Sequence, residues 1–93
     1  MGRLLKQMLL ICVFLVALTE QAIADSLSDA QHAYAEGDFS KAVKLFMPLA
    51  EQGNAFAQFN LGFMYAKGQG VLQDDKEAVR WYRTAVKQGE AKA

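Results

Sequence analysis

One part of this sequence repeats another at a fixed offset of 36 residues, and this repeat constrains the fold more than any other feature. Each copy holds a helix-capping residue, a small residue, an aromatic residue and a closing glycine in the same order. The matched positions are Asp38 with Asp74, Ala42 with Ala78, Val43 with Val79, Phe46 with Tyr82, and Gly53 with Gly89. A period of this length is typical of helical pairs that stack side by side. The sequence therefore predicts an all-α fold, a short right-handed α-solenoid of two antiparallel helix pairs.

Capping residues and glycines set the expected limits of the first pair. A helix over 27–36 is predicted to start after Ser26, whose hydroxyl accepts backbone hydrogen bonds, and to end at Gly37. Asp38 is suited to cap the second helix, whose apolar residues recur every three or four positions. Pro48 lies inside this helix, but the apolar pattern continues beyond it, which predicts a bend rather than a stop.

The second pair begins with an unusually apolar helix. This third helix is predicted over 55–67, with Asn54 suited to cap its start. Its apolar surface on nearly all sides predicts neighbours on more than one side. Gly62 costs about 1 kcal/mol relative to alanine in a helix, so we expect a neighbouring backbone to pack against it. Asp74 and Glu77 form a capping-box pair for a fourth helix that runs to about Gln88. Its inward residues are predicted to be Ala78, Val79, Trp81, Tyr82, Ala85 and Val86.

Residues 1–24 have the features of a signal peptide. A long apolar run follows Arg3 and Lys6, and a small-x-small sequence ends at Ala24. We expect cleavage after Ala24 and export to a bacterial periplasm or to the medium. The alternative is an uncleaved membrane anchor, but the run is shorter than the roughly 20 residues that span a bilayer. Cys12 belongs to the run and would leave with the peptide.

The expected mature chain, residues 25–93, is close to neutral, with eight Lys and Arg and nine Asp and Glu residues. This balance argues against a nucleic-acid partner and against binding to anionic lipid, so no membrane partner is expected after cleavage. The mature chain contains no cysteine and can form no disulfide. Packing alone must therefore hold this small domain together.

The segments that follow carry a family resemblance. They are Ala57-Gln58-Phe59-Asn60-Leu61-Gly62, Met64-Tyr65, Gly68-Gln69-Gly70-Val71, Asp74, Lys76-Glu77-Ala78, Trp81-Tyr82 and Gln88-Gly89. Residues 55–89 thereby resemble one complete Sel-one-like repeat, the longer-looped relative of the tetratricopeptide repeat. Residues 25–54 resemble a shorter tetratricopeptide-like pair, and residues 90–93 form a tail. Leu72 stands where the family often has proline, and Asp75 where it often has an aromatic residue. The resemblance implies an adaptor whose concave face, lined by the first helix of each pair, binds proteins or peptides.

Catalytic groups are sparse in this sequence. His32 is its only histidine, and Ser-x-x-Lys is absent, so we expect no enzyme, no metal and no cofactor. Some exported, cysteine-rich members of the resembled family are associated with β-lactam binding or hydrolysis. The alternative function is therefore a hydrolase that acts on β-lactams or cell-wall ligands, although the cysteine pairs are lacking here. Nitrocefin turnover that is lost on Ser40→Ala would favour it.

A binding role is predicted for polar and aromatic residues of the first helix of each pair. The candidates are Asn60, Gln58, Phe63 and Lys67 on the third helix, with Tyr34, His32 and Glu36 on the first. The amide of Asn60 is suited to pair with the backbone of an extended peptide. The alternative is that Asn60 bonds a neighbouring helix carbonyl. Phe56 and Phe59 are expected in the core.

Two helix pairs are fewer than the three or so that a repeat array usually needs for stability. After Gly89 the sequence offers no further predicted helix to cover the end of the stack. We therefore expect that end to be buried by self-association or by a protein partner. A further alternative is that the chain retains two units of a longer, truncated array.

Overall fold

The computed structural model describes residues 2–92, and this part of the chain contains four α-helices. They are α1 (Gly2–Ala35), α2 (Phe39–Glu51), α3 (Ala55–Lys67) and α4 (Asp75–Lys92). Consecutive helices pack against each other, α1 on α2, α2 on α3 and α3 on α4. The predicted all-α solenoid of two helix pairs is confirmed. Among the helices of residues 2–92, none combines the length and the hydropathy needed to cross a membrane.

The predicted caps of the central helices are confirmed. Asp38 Oδ1 accepts a hydrogen bond from the Lys41 backbone N–H at 3.2 Å, and Asn54 Oδ1 accepts one from the Ala57 N–H at 2.9 Å. Gly53 has a φ of 99°, and the next N–H, that of Asn54, donates to the Leu49 carbonyl at 2.9 Å. This hydrogen bond is that of a Schellman motif, which closes a helix on a left-handed glycine. As expected, α2 continues through Pro48.

Two predicted helix ends are wrong. α1 does not start after Ser26 but runs from Gly2 to Ala35, because residues 3–36 contain neither glycine nor proline and nothing interrupts the helix. α4 does not stop near Gln88 but continues through Gly89 to Lys92. Gly89 lacks the positive φ of Gly53, and the residues after it are good helix formers.

The capping box at the start of α4 is only half formed. Asp74 Oδ1 accepts hydrogen bonds from the backbone N–H groups of Lys76 and Glu77, at 3.0 and 3.2 Å. The side chain of Glu77 does not reach back to the cap, because it is paired with Arg80, whose Nη2 lies 2.8 Å from its Oε2. The N–H of Asp74 donates instead to the Tyr65 carbonyl at 3.0 Å. This bond ties the start of α4 to the end of α3.

The core lies between the helix pairs and is made of large side chains from α2, α3 and α4 with alanines between them. Phe46, Leu49, Leu61, Met64 and Trp81 are its large buried apolar residues. Alanine lines the remaining positions, at Ala30, Ala33, Ala42, Ala50 and Ala57. Small residues at these positions let the helix backbones approach each other, so a short chain can still form a closed core.

Gly62 is a point of close contact between α3 and α4. A Cβ at this position would lie 2.8 Å from two ring carbons of Tyr82 and 3.2 Å from the carbonyl oxygen of Ala78. Close packing at Gly62 was expected, and the structure shows that an aromatic ring approaches it more closely than the backbone does. Val79 and Val86 were predicted to face inward, but they are 44% and 57% exposed.

Gly70 brings the loop before α4 against the start of α2. Its φ is 72°, and a Cβ there would lie 2.5 Å from the carbonyl oxygen of Phe39. The preceding residue of the loop, Gln69, accepts a hydrogen bond from the hydroxyl of Tyr34 at 3.0 Å. The loop thus joins the second helix pair to both helices of the first.

Replacement of Gly70 by alanine is expected to lower the free energy of unfolding by at least about 2 kcal/mol, because a strained φ is added to a backbone clash. Gly89→Ala is the matched control, since Gly89 is helical and no atom lies within 4 Å of its added Cβ. That change is expected to raise stability by up to about 1 kcal/mol. Urea unfolding followed by circular dichroism measures both effects, and equal effects of the two changes would contradict this account of the loop.

Candidate binding surface

Three phenylalanines of α3 lie on one exposed side of the helix. Phe56, Phe59 and Phe63 are 47%, 57% and 39% exposed, and their spacing of three and four residues places them in one row. We call this row the phenylalanine face. The expectation that Phe56 and Phe59 belong to the core is wrong. α3 is apolar all round, but α2 and α4 cover only two of its sides in the described part of the chain.

The phenylalanine face rests on both neighbouring helices. The Phe56 ring lies 6.5 Å from the ring of Phe46 on α2, centroid to centroid. The Phe59 ring lies 5.2 Å from that of Tyr82 on α4. Such tilted aromatic pairs hold rings in defined positions. The exposed rings are therefore anchored at their inner edges and present a fixed apolar surface.

Asn60 and Lys67 lie on the same side of α3 as the phenylalanine face. Asn60 Nδ2 donates to the carbonyl of Phe56, one turn earlier in its own helix, at 2.8 Å. The structure does not show the alternative considered above, in which Asn60 bonds a carbonyl of a neighbouring helix. The Lys67 ammonium lies 5.9 Å from the centroid of the Phe63 ring, within the range of a cation–π contact. One end of the apolar row is thus positively charged.

Gln58 lies away from this surface and is 2% exposed. Its Nε2 donates to the Ala50 carbonyl on α2 at 2.9 Å, and its Oε1 is buried without a hydrogen-bond partner. Helix residues two positions apart point about 200° apart, so Gln58 and Asn60 cannot share a face. This angle was available from the sequence alone, and it separates the two amides that were grouped as binding candidates.

The candidates on α1 lie apart from the phenylalanine face. Tyr34 is half-buried, with its ring 5.1 Å from that of Phe39, and its hydroxyl is the one that holds the Gly70 loop. His32 is exposed, and its Nε2 lies 2.9 Å from Oε1 of Glu36. Among residues 2–92, no hydrogen bond or ring contact joins these side chains to the phenylalanine face. The structure thus brings together Asn60, Phe63 and Lys67, but not the residues of α1.

The equivalent surface of α1 is polar. Tyr34 and Tyr65 are 31 residues apart, and the same offset relates Gly37 and Gly68, which close α1 and α3 in the left-handed conformation. This offset relates four exposed polar residues of α1 to the surface of α3. Asp25 corresponds to Phe56, Asp29 to Asn60, His32 to Phe63, and Glu36 to Lys67. An apolar surface at this position is therefore a property of α3 and not of the repeat in general.

Outside the phenylalanine face, the charged residues Glu77 and Arg80 form an ion pair within α4. Arg80 on α4 donates from Nε and Nη2 to the Glu77 carboxylate and lies with its guanidinium carbon 4.6 Å from the centre of the Trp81 ring. The hydrogen bond that Arg80 donates to Glu77 raises the pKa of Arg80, so the guanidinium stays charged. Within residues 2–92, no group of three or more His, Cys, Asp or Glu side chains is placed to hold a metal ion.

The Sel1 repeat family matches this chain twice, over residues 31–54 and 55–90. The chain is 40% identical over 57 residues to an exopolysaccharide production negative regulator of Rhizobium leguminosarum bv. viciae, a match to 61% of this chain and 21% of that protein. It is 45% identical over 47 residues to the ERAD-associated E3 ubiquitin-protein ligase component HRD3A of Arabidopsis thaliana, covering 50% of this chain and 7% of that protein.

A third relative covers more of the chain. The DAP3-binding cell death enhancer 1 of Rattus norvegicus is 35% identical over 81 residues, which is 80% of this chain and 16% of that protein. The chain thus spans about a fifth or less of the length of these three relatives. No solved structure matches it.

Sel1 repeats form modules for protein–protein interaction, and the proteins that contain them are mostly non-catalytic adaptors. Both family matches coincide with the helix pairs of the structure, the first from within α1 to the end of α2 and the second across α3 and α4. Together they cover more than half of the sequence. This chain belongs to the Sel1 repeat family.

Proposed function

We propose that this protein is an exported, non-catalytic adaptor that binds a protein or peptide through the phenylalanine face of α3. The observation that carries the proposal is the exposure of Phe56, Phe59 and Phe63 in one row. Contiguous apolar surface of this kind on a small protein marks an interaction site. The role of Sel1 repeats in protein interaction supports the same conclusion.

The surface defines the chemistry of a suitable partner. Full burial of a phenylalanine side chain contributes about 1.5–3 kcal/mol, so the remaining exposure of each ring offers roughly 1 kcal/mol to a partner with apolar side chains. Lys67 beside Phe63 favours an acidic group at that end of the partner. Asn60 uses Nδ2 within its own helix, while no donor is assigned to its Oδ1 among the described hydrogen bonds. That oxygen is suited to accept a backbone N–H of a bound segment.

The exposure of the N-terminal part of α1 supports export with cleavage after Ala24. Leu5, Met8, Leu9, Leu10 and Ile11 are between 58% and 69% exposed. Apolar side chains with this exposure fit a targeting segment better than a structural helix. Ile23 is an exception, because it packs against the core. After cleavage, Ser26 would stand near the new start of α1 and could cap it.

Ala24→Phe is expected to block processing, because a signal-peptidase site needs a small residue next to the cleaved bond. The measurement is the intact mass of protein recovered from the cell envelope of a Gram-negative host. The original sequence should begin at Asp25, and the variant should keep residues 1–24. Leu9→Ile is the control, since it preserves the apolar run and should be processed normally. A product of the original sequence that begins at Met1 would contradict the export proposal.

Photo-crosslinking tests the binding surface directly. A benzophenone amino acid at Phe59 is expected to form a covalent adduct with a bound protein or peptide in the intact cell. The same group at Leu72 is the matched control, because Leu72 is also an exposed apolar residue, at 91%, but lies outside the phenylalanine face. Adducts are expected at Phe59 only, with mass spectrometry identifying the attached peptide.

A second variant distinguishes specific capture from chance contact. Phe63→Ser in the protein that carries the crosslinker should reduce the adduct at least about fivefold, since one of three apolar contacts is lost. A thermal melt must show that the variant still folds. Equal adduct yields at positions 59 and 72 would exclude the phenylalanine face as the binding surface.

A further inference from the structure

The exposed side of α4 carries a second apolar surface. Val79, Tyr82 and Val86 lie along a groove of about 380 Å³ that Arg83, Lys87 and Glu90 also line. Val79 and Val86 are about half exposed, and Tyr82 is half-buried against Gly62. None of these residues belongs to the phenylalanine face, although the contact between Tyr82 and Phe59 joins the two surfaces.

The first helix pair shows what this groove is shaped to hold. At the offset of 36 residues, Tyr82 corresponds to Phe46 and Val86 to Ala50 on α2. Phe46 and Ala50 are each 1% exposed, and the carbonyl of Ala50 accepts a hydrogen bond from α3. A helix thus covers both positions on α2, whereas on α4 the helix α3 covers Tyr82 only in part and Val86 is 57% exposed. The groove on α4 is accordingly suited to bind a helix.

The spacing of the exposed residues identifies the kind of helix contact. Val79, Tyr82, Val86 and Gly89 follow one another at intervals of three, four and three residues, which is the pattern of a coiled-coil seam. We call these four residues the α4 seam. Apart from the adjoining turns of α4 itself, no atom of the described residues lies within 4 Å of a Cβ built at Gly89, so another helix can approach the backbone there. The seam therefore runs from bulky residues to a position without a side chain.

We propose that the α4 seam pairs with the α4 seam of a second copy of this chain, in antiparallel orientation about a two-fold axis near residue 84. In this arrangement, Val79 lies opposite Gly89 of the second copy, and Tyr82 lies opposite Val86. Each large side chain thus meets a smaller one, and the symmetry makes every contact twice. The antiparallel pair matches large side chains of the seam with small ones. A parallel pair would instead place tyrosine against tyrosine.

The charges beside the seam fit the same arrangement. Lys76 and Glu90 flank the seam on the same edge as Arg83, and the antiparallel pair places Lys76 near Glu90 of the second copy on both sides of the axis. Only Arg83 lies near the same residue of the second copy, so that these two positive charges repel each other. Because these side chains are exposed, salt screens that repulsion. The formal net charge of the chain is zero, so no general repulsion opposes association.

The size of the seam predicts a weak dimer. α4 has 18 residues and is therefore about 27 Å long at 1.5 Å per residue. Two helices of this length bury less than the roughly 1,200 Å² of a standard interface, so we expect dissociation in the micromolar range. Sedimentation equilibrium of the protein recovered from the cell should show a monomer that becomes a dimer as its concentration rises.

A crosslinking experiment tests the orientation. In a Cys12→Ala background, Arg83→Cys should form a homodimer with a short bismaleimide, because residue 83 lies next to the two-fold axis. Lys76→Cys alone should form none, since its copies lie at opposite ends of the pair. A mixture of the Lys76→Cys and Glu90→Cys proteins should give a mixed dimer. Crosslinking of Lys76→Cys to itself would overturn the antiparallel arrangement.

A substitution in the seam tests the surface. Val86→Lys should weaken dimerisation at least about tenfold, because it places two charges in the seam. Leu72→Lys changes an even more exposed apolar residue outside the seam and should have no effect. Both variants should melt as the original protein does in dilute solution. A monomer at all concentrations would overturn the proposal and would leave the α4 seam to a helix of another protein.

Discussion

The two-sided packing of α3 is the interaction on which the rest of this structure depends. On one side, Gln58 donates its amide hydrogen to the carbonyl of Ala50 on α2. On the other side, Gly62 admits the ring of Tyr82 and the backbone of α4. α2 and α3 have only 13 residues each, so they depend on apolar neighbours for their stability. α3 supplies that neighbour to both α2 and α4, and the Gly70 loop secures the arrangement by contacting α2 again.

Features that depend on local chemistry could be predicted from the sequence. Asp38, Asn54 and Asp74 cap helices as expected, because a side-chain oxygen near free backbone N–H groups needs no distant partner. The positive φ of Gly53 is a similar case. Gly89 shows the limit of such reasoning, since a glycine ends a helix only where the following residues leave it. The 36-residue repeat correctly predicted the architecture, but it did not predict where every helix begins and ends.

The exposure of a helix side depends on how many other helices pack against that helix, and it could not be predicted from the sequence. Periodicity tells which residues share a side of a helix, but not whether another helix covers that side. Phe56, Phe59, Val79 and Val86 were therefore expected inside and are exposed. Within the candidate site, Phe63 and Lys67 do lie beside Asn60, because helical geometry alone places them together. The separation of Gln58 from them followed from the same geometry, whereas its contact with Ala50 required the position of α2.

The polar surface of α1 shows that the fold does not itself require apolar residues at the exposed positions of α3. Aspartate and histidine stand on α1 where α3 has Phe56 and Phe63, and α1 still packs on α2. Aromatic rings half exposed to water add little to the stability of an isolated chain and favour aggregation. Their presence on α3 supports the binding role proposed for the phenylalanine face. The same reasoning applies to α4, where Val86 is exposed to solvent although Ala50, its equivalent on α2, is buried. The two repeats described here leave apolar surfaces that are large relative to the core they form, and both proposals rest on these uncovered surfaces.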